Sequence, residues 1–282
     1  MMLYHYCSVA AFHSIIKQQK IRLSLLSLSS DSKEGQHIVD VANRMLPDSL
    51  PIKDLSLAAL SSLIAELSPF GFCLSAEGDL LSQWRGYADD AQGFAVGFDR
   101  QELETICQKE SEGQASIRLA QAIYHESLLT EAMTADLKSI ADTNLSGKLD
   151  LWSRGLIHYA LPDQEREAVE LREKKLIAEH FVQLARLASH AYLIKGNFFQ
   201  EENEWRLLSL GDVERQRHCK FHPSSNRLIP FAEFPWTANL SPAIKEVVVG
   251  PRNRTPDAIV QSFLRGHGCA HAKVVRSEGS YR

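Results

Sequence analysis

The chain has 282 residues, 44% of them hydrophobic and 23% charged, an ordinary soluble globular composition with ample material for one large domain or two small ones. A net charge of −4 gives no global reason to expect nucleic-acid binding, and no run approaches the roughly 18 apolar residues that read as a membrane-spanning helix. Five widely spaced cysteines without a CxxC pair, and no basic segment leading into an apolar one at the N-terminus, argue against a disulfide framework and predict a cytoplasmic protein.

In chain order, Leu3 to Cys7 reads as a short aromatic strand. Ser8 is a candidate N-cap for a helix from Val9 to Gln19 with Phe12, Ile15 and Ile16 inward. A strand over Ile21 to Leu26 follows, then a polar turn from Leu28 to Gly35. Gln36 to Met45 and Leu55 to Leu67 look helical, divided by Pro47 and Pro51. Phe70 to Ser75 reads as a buried strand, Asp79 to Tyr87 as a helical turn, and Gly93 to Phe98 as another strand. The glycines of that strand leave one face bare, which permits close approach by a ligand or a backbone.

The middle changes character. Gln101 to Cys107 looks helical, and Ser116 to His125 fits strand and helix equally. Glu126 to Ala141 and Asp163 to Leu193 read as long helices, the second with Val169, Leu176, Ile177, Phe181, Leu184 and Leu187 at helical spacing. The charges from Glu165 to Lys175 read as a solvated face. Residues from about 101 to 195 are thus expected to form a helical insert within a single domain. Strands return over Glu204 to Leu210, Arg215 to His222, Arg227 to Phe234 and Ile244 to Val249. Thr255-Pro256-Asp257 starts a helix reaching about Gly266, and a strand over Ala270 to Val275 precedes the tail.

The segment KGNFFQEENEWRLLSL, Lys195 to Leu210, carries the chemistry. On a strand, Glu202, Glu204 and Arg206 would share one face and Trp205 and Leu207 the other. Paired carboxylates suit reaction at a sugar carbon, one stabilising an oxocarbenium-like centre and the other readying a nucleophile. A surface strand whose Arg206 neutralises Glu204 explains the same pattern. His5, between Tyr4 and Tyr6, points opposite to both and is either a core residue or a site residue. Ser75 ends a strand, and Trp84 and Tyr87 lie one helical turn apart beside a small-residue strand. Such aromatics either wall a site for a flat ring or anchor the core. The clusters His218-Cys219-His222 and His267-Cys269-His271 match no zinc spacing, so no metal is expected. Cys73, inside an apolar strand, reads as an inert core thiol. The turn GPRNRTP places Arg252 and Arg254 near a helix N-terminus, as a phosphate contact or an ordinary connection.

LYHY, SQWRGYADDAQGFAVGF, EENEWRL, EVVVGP and the terminal SxxxYR together resemble an uncharacterised bacterial domain family over nearly the whole chain. The order histidine, aromatic, glutamate is in turn similar to the His-Tyr-Glu signature of the ADP-ribosyltransferase superfamily. That resemblance implies an α+β fold with a split, bent β-sheet core. It implies NAD as substrate, with Glu204, Glu202 and His5 catalytic. His5, Tyr6, Ser75, Trp84, Tyr87 and Arg206 would be NAD-binding. It implies a glycosyl-transferring enzyme in a toxin, effector or phage-defence setting, with an antitoxin or accessory protein as a partner. The acceptor is left open among protein, nucleic acid and small molecule. An NAD glycohydrolase using the same site, or a non-catalytic binding module with the same fold, are the alternatives.

Overall fold

The computed structural model describes residues 1–29, 33–50, 52–111, 117–125, 129–142, 163–211, 219–223, 228–233 and 240–281. Parts of the expected strands at Arg215 to His222 and Arg227 to Phe234, the first residues of the helix expected from Glu126, and His218 lie outside them, as do part of the polar turn and the side chains at 163–170 and 172–173.

The fold is α+β. The strands are β1 (Met2–Cys7), β2 (Arg22–Leu25), β3 (Ser68–Ser75), β4 (Phe94–Asp99), β5 (Ile117–Gln121), β6 (Glu204–Gly211), β7 (Lys220–Pro223), β8 (Leu228–Glu233), β9 (Ile244–Val249) and β10 (Lys273–Arg276). The α-helices are α1 (Val9–Gln18), α2 (His37–Met45), α3 (Lys53–Glu66), α4 (Leu81–Tyr87), α5 (Arg100–Ser111), α6 (Glu131–Asp142), α7 (Asp163–Ala188) and α8 (Asp257–Gly266). Local sequence explains several boundaries. Ser8 caps α1 by accepting from the Ala11 N–H at 3.2 Å. Pro256 stands just before α8, one residue later than the sequence places its cap. Within the ambiguous segment Ser116 to His125, Ile117–Gln121 is the strand β5 because its residues pair with β6, Ile117 opposite Ser209 and Gln121 opposite Trp205. Tertiary pairing decides where local preference does not.

The described residues form two compact units. The first, Met1–Ser32, Ser68–Ala122 and Gly196–Arg282, holds the sheet. Its strands run β10-β9-β4-β1-β3-β2-β8-β7, with β6 on β3 and β5 on β6. β6 covers one edge of β3 from Ser68 to Ser75. β1 and β2 share the other edge: β1 meets it at Tyr4 opposite Ser75, and β2 at Ser24 and Leu25 opposite Gly71 and Phe70. The sheet therefore splits where β1 and β2 part along β3.

Alternation sets two faces. Leu3, Phe70, Phe72, Phe94, Val96, Phe98, Trp205, Leu207, Val247 and Val249 pack with Phe12, Ile15 and Ile16 of α1, Leu103 and Ile106 of α5, and Val260 and Leu264 of α8. Each such buried side chain contributes about 1.5–3 kcal/mol relative to exposure. The opposite face carries a smaller cluster of Tyr6, Trp84, Ala88, Ala91, Ala95 and Val248. Gly93 just before β4 and Gly97 within it serve packing: a Cβ on Gly93 would stand 2.0 Å from the Cys7 carbonyl oxygen, and Gly97 lies under Tyr4 and Met2.

The second unit, Lys33–Leu67 and Ile123–Lys195, contains α2, α3, α6 and α7. Leu60 and Ile64, Leu137 and Ile140, and Leu184 and Leu187 form its buried faces. Ser56 and His180 meet at 3.0 Å between α3 and α7. Of the residues from 101 to 195, α5 and β5 thus belong with the sheet, while 33–67 join the helical unit. Among the described residues no helix is long and apolar enough to cross a membrane.

Candidate functional site

Glu202, Glu204, Arg206, Ser75 and Tyr87 lie together at the start of β6. Asn197–Glu202 is a 3-10 turn, and Asn203 after it takes the left-handed conformation at φ 42°, which asparagine tolerates better than most residues. Glu202 is therefore not on the strand. The expected common strand face of Glu202, Glu204 and Arg206 is corrected to Glu204 and Arg206 alone, because the left-handed Asn203 breaks the alternation before β6 begins.

The junction is tied from several sides. Ser75 donates its hydroxyl to the Glu202 carbonyl at 2.7 Å and accepts the Glu77 N–H at 3.0 Å. The Ala76 N–H donates to the Asn203 carbonyl at 3.0 Å, and the Ala122 N–H to that of Glu204 at 2.9 Å. Gln121 holds the Asn203 side chain at 3.2 Å. Ser75, 1% exposed, is occupied in fixing the loop. Singled out in sequence as an NAD ligand, it bonds two backbone groups of this junction.

The two acids meet different surroundings. Glu204 is 4% exposed and Arg206 1%. The guanidinium donates to both carboxylate oxygens, at 2.9 and 2.8 Å. This fork compensates two charges whose burial alone would be costly. Glu202 is half-buried, and the Tyr87 hydroxyl donates to its Oε1 at 3.3 Å. Tyr87 itself is 42% exposed. Cross-strand register places Ser75 and Tyr4 on the face that holds Glu204.

His5 lies elsewhere. It follows Tyr4 on β1 and pairs with Val96, on the core face. Its ring stacks on Phe72 at 3.9 Å and its Nδ1 bonds the Cys73 carbonyl at 2.9 Å. Burial pushes its pKa down to about 4. Strand alternation turns it to the sheet face opposite Glu204, so these two residues, both expected to be catalytic, do not share a face. Trp84 is buried, edge-on to Tyr6 at 4.8 Å, with its indole N–H on Asp79 Oδ1 at 2.6 Å. Tyr6 is buried too, its hydroxyl donating to the Glu77 carbonyl and accepting the Leu80 N–H. Both are core anchors rather than open walls. Of the aromatics first singled out for ring stacking, Tyr87 is the exposed one.

Other expectations also change. Cys73 is exposed on β3, opposite Arg206 in register, because it falls on the Glu204 face rather than the core face. It is not the core thiol expected. Cys7 is, with burial pushing its pKa up to about 12. In the turn after β9, Arg252 pairs with Asp90, and Asn253 bonds the carbonyls of Gln92 and Gly93 at 2.7 and 3.1 Å. These groups serve the connection. His267 and His271 bond the carbonyls of Phe263 and Ser241.

Three features escaped sequence reading. Tyr4 donates to Glu246 Oε1 at 3.0 Å, and its hydroxyl pKa rises to about 12 through burial and that carboxylate. Phe198, 90% exposed, stands on the turn before Glu202. Asp79 and Asp90 bracket α4. The paired aromatics Phe198 and Phe199 in NFFQEE are the one local signal among these.

Residues 83–207 match a family model described as "Protein of unknown function (DUF2971)". The match includes Tyr87, Glu202, Glu204 and Arg206 and leaves out β1 and Ser75. No curated protein and no solved structure matches the chain.

Proposed function

We propose that the protein transfers ADP-ribose from NAD to an acceptor nucleophile. The observation that carries this reading is the pair of unlike acids at the head of β6, Glu204 buried on Arg206 and Glu202 half-buried on Tyr87. The split sheet agrees with the core that the ADP-ribosyltransferase resemblance implies.

The chemistry divides between the two acids. Breaking the bond between ribose C1′ and the nicotinamide nitrogen sends its electron pair to nicotinamide and leaves positive charge on C1′ and the ring oxygen. A carboxylate fixed in a low-dielectric site stabilises that charge as it develops. Glu204 is held for this by a guanidinium that sets its direction. The acceptor then attacks C1′ and loses a proton, for which Glu202 is the base. Tyr87 orients Glu202 and offers its exposed ring to the nicotinamide. Ser75 holds the loop, and His5 acts within the core. With water as acceptor the same residues make an NAD glycohydrolase.

A non-catalytic module is the second reading. It is favoured by the fork from Arg206, which engages both oxygens of Glu204. Incubation with labelled NAD and a cell lysate separates the three. Nicotinamide release with label transfer supports the transferase, release without transfer the glycohydrolase, and neither the module. A toxin, effector or phage-defence setting comes with the family resemblance and belongs to the same proposal.

A further inference from the structure

The segment after β10 makes contacts that the reaction above does not use. Ser277 donates its hydroxyl to Asp79 Oδ1 at 2.6 Å, and the Glu278 N–H donates to Asp79 Oδ2 at 2.7 Å. The same Oδ1 receives the Trp84 indole N–H. Further on, the Tyr281 hydroxyl donates to Asp90 Oδ1 at 2.7 Å. Arg252 pairs with Asp90 and lies 5.8 Å from the Tyr281 ring centroid, while Arg85 of α4 lies 6.0 Å from it. The Ser277 N–H donates to the Val249 carbonyl at 3.0 Å, which anchors the segment to β9.

Asp79 and Asp90 stand on either side of α4. The turn after the helix is unusual: Asp89, Asp90 and Ala91 have φ of 52°, 51° and 66°. Three successive non-glycine residues in the left-handed region persist only where their surroundings impose it. Here the Ala91 N–H donates to the Trp84 carbonyl at 2.9 Å, and the Arg252 N–H to the Ala91 carbonyl at 3.0 Å. A helix of seven residues has little stability of its own. Tyr87 ends that helix, between the two anchored aspartates.

We propose that Ser277 and Tyr281, acting through Asp79 and Asp90, are positioning residues that clamp α4 and its left-handed turn so that Tyr87 meets Glu202. Its effect on turnover rests on the NAD reading above; the clamp can be measured without it.

The test places a single fluorotyrosine at position 87 in the full chain and records its 19F resonance together with hydrogen exchange. The variant Ser277→Ala/Tyr281→Phe is compared with Glu202→Gln, which removes the carboxylate that Tyr87 faces. The resonance of the clamp variant is expected to move toward that of Glu202→Gln. The amides of Ala91 and Gly93 are expected to exchange roughly tenfold faster or more, with those of β3 and β6 unchanged. Ser277→Thr alone, which keeps the hydroxyl, is expected to keep the wild-type resonance. A resonance that stays put, or exchange that quickens throughout the sheet, overturns the clamp. Nicotinamide release is then expected to fall severalfold in the double variant. If the resonance moves but the wild-type protein releases no nicotinamide, the NAD reading fails and the clamp stands. If release is present and unchanged by the variant, the positioning role is overturned.

Discussion

Glu202 and Glu204 are separated by one residue, and that residue decides their chemistry. With Asn203 left-handed, Glu202 faces Tyr87 at the surface while Glu204 turns inward to Arg206. If Glu202 readies the acceptor, Glu202→Gln lowers transfer of labelled ADP-ribose roughly a hundredfold or more and nicotinamide release far less. Equal loss of both removes the reason for preferring a transferase to a glycohydrolase. Cys73 offers a probe of the same face. A thiol reagent under native conditions is expected to modify Cys73 ahead of the buried Cys7, Cys107 and Cys269, read by mass spectrometry of the peptides. His5 gives a pH dependence. Its folded pKa, about 4, lies below the unfolded value of about 6.5. The unfolded chain thus takes up the proton first, and stability is complete above about pH 6.5 and is lost as pH falls toward about 4. The loss is at most about 3 kcal/mol, and less where solvent reaches the ring. Urea midpoints at pH 7 and pH 5 are expected to differ more for the wild type than for His5→Gln.

At the scale of elements, strand placement was legible where a short apolar run was bounded by turn residues, as in β1, β3, β4 and β9. The ambiguous β5 was settled by its partner β6, which no local pattern reveals. The face of His5 relative to Tyr4 and Tyr6 followed from alternation. Its side of the whole sheet did not, because that depends on register with β3 and β4. The sequence pattern puts Glu202 on the strand face of Glu204, whereas it ends the 3-10 turn Asn197–Glu202, since a single left-handed asparagine leaves no periodic trace. Trp84 was undecided for the same reason: its burial depends on Asp79 and Tyr6, and on Val248 far along the chain. Gly93 shows what its strand needs. A Cβ there meets backbone rather than a movable side chain, so Gly93→Ala must separate β4 from the end of β1. A loss of about 2 kcal/mol or more is expected, seen as a lowered denaturation midpoint. Gly97→Ala presses on the side chains of Tyr4 and Met2, which can shift, and is expected to cost less.

At the scale of the molecule, the sheet brings residues from opposite ends of the chain to one junction. Ser75 on β3 and Glu204 on β6 are direct partners across the strands, and Tyr4 on β1 pairs with Ser75 at the point where the sheet splits. Sequence order alone does not bring these residues together; the pairing of β3 with both β1 and β6 does. The central claim is that this junction breaks the nicotinamide–ribose bond and that the Glu204 charge drives it. The most direct measurement is nicotinamide release from NAD by the purified wild type and by Glu204→Gln. Gln leaves the Arg206 guanidinium buried against a neutral partner, so stability also falls, by up to about 3–5 kcal/mol. The rate is therefore taken per folded molecule, with the folded fraction measured by circular dichroism at the assay temperature. The account predicts release by the wild type above the protein-free rate and a fall of roughly a hundred- to a thousandfold in folded Glu204→Gln. No release by the wild type, or an equal rate per folded molecule in the variant, would contradict it.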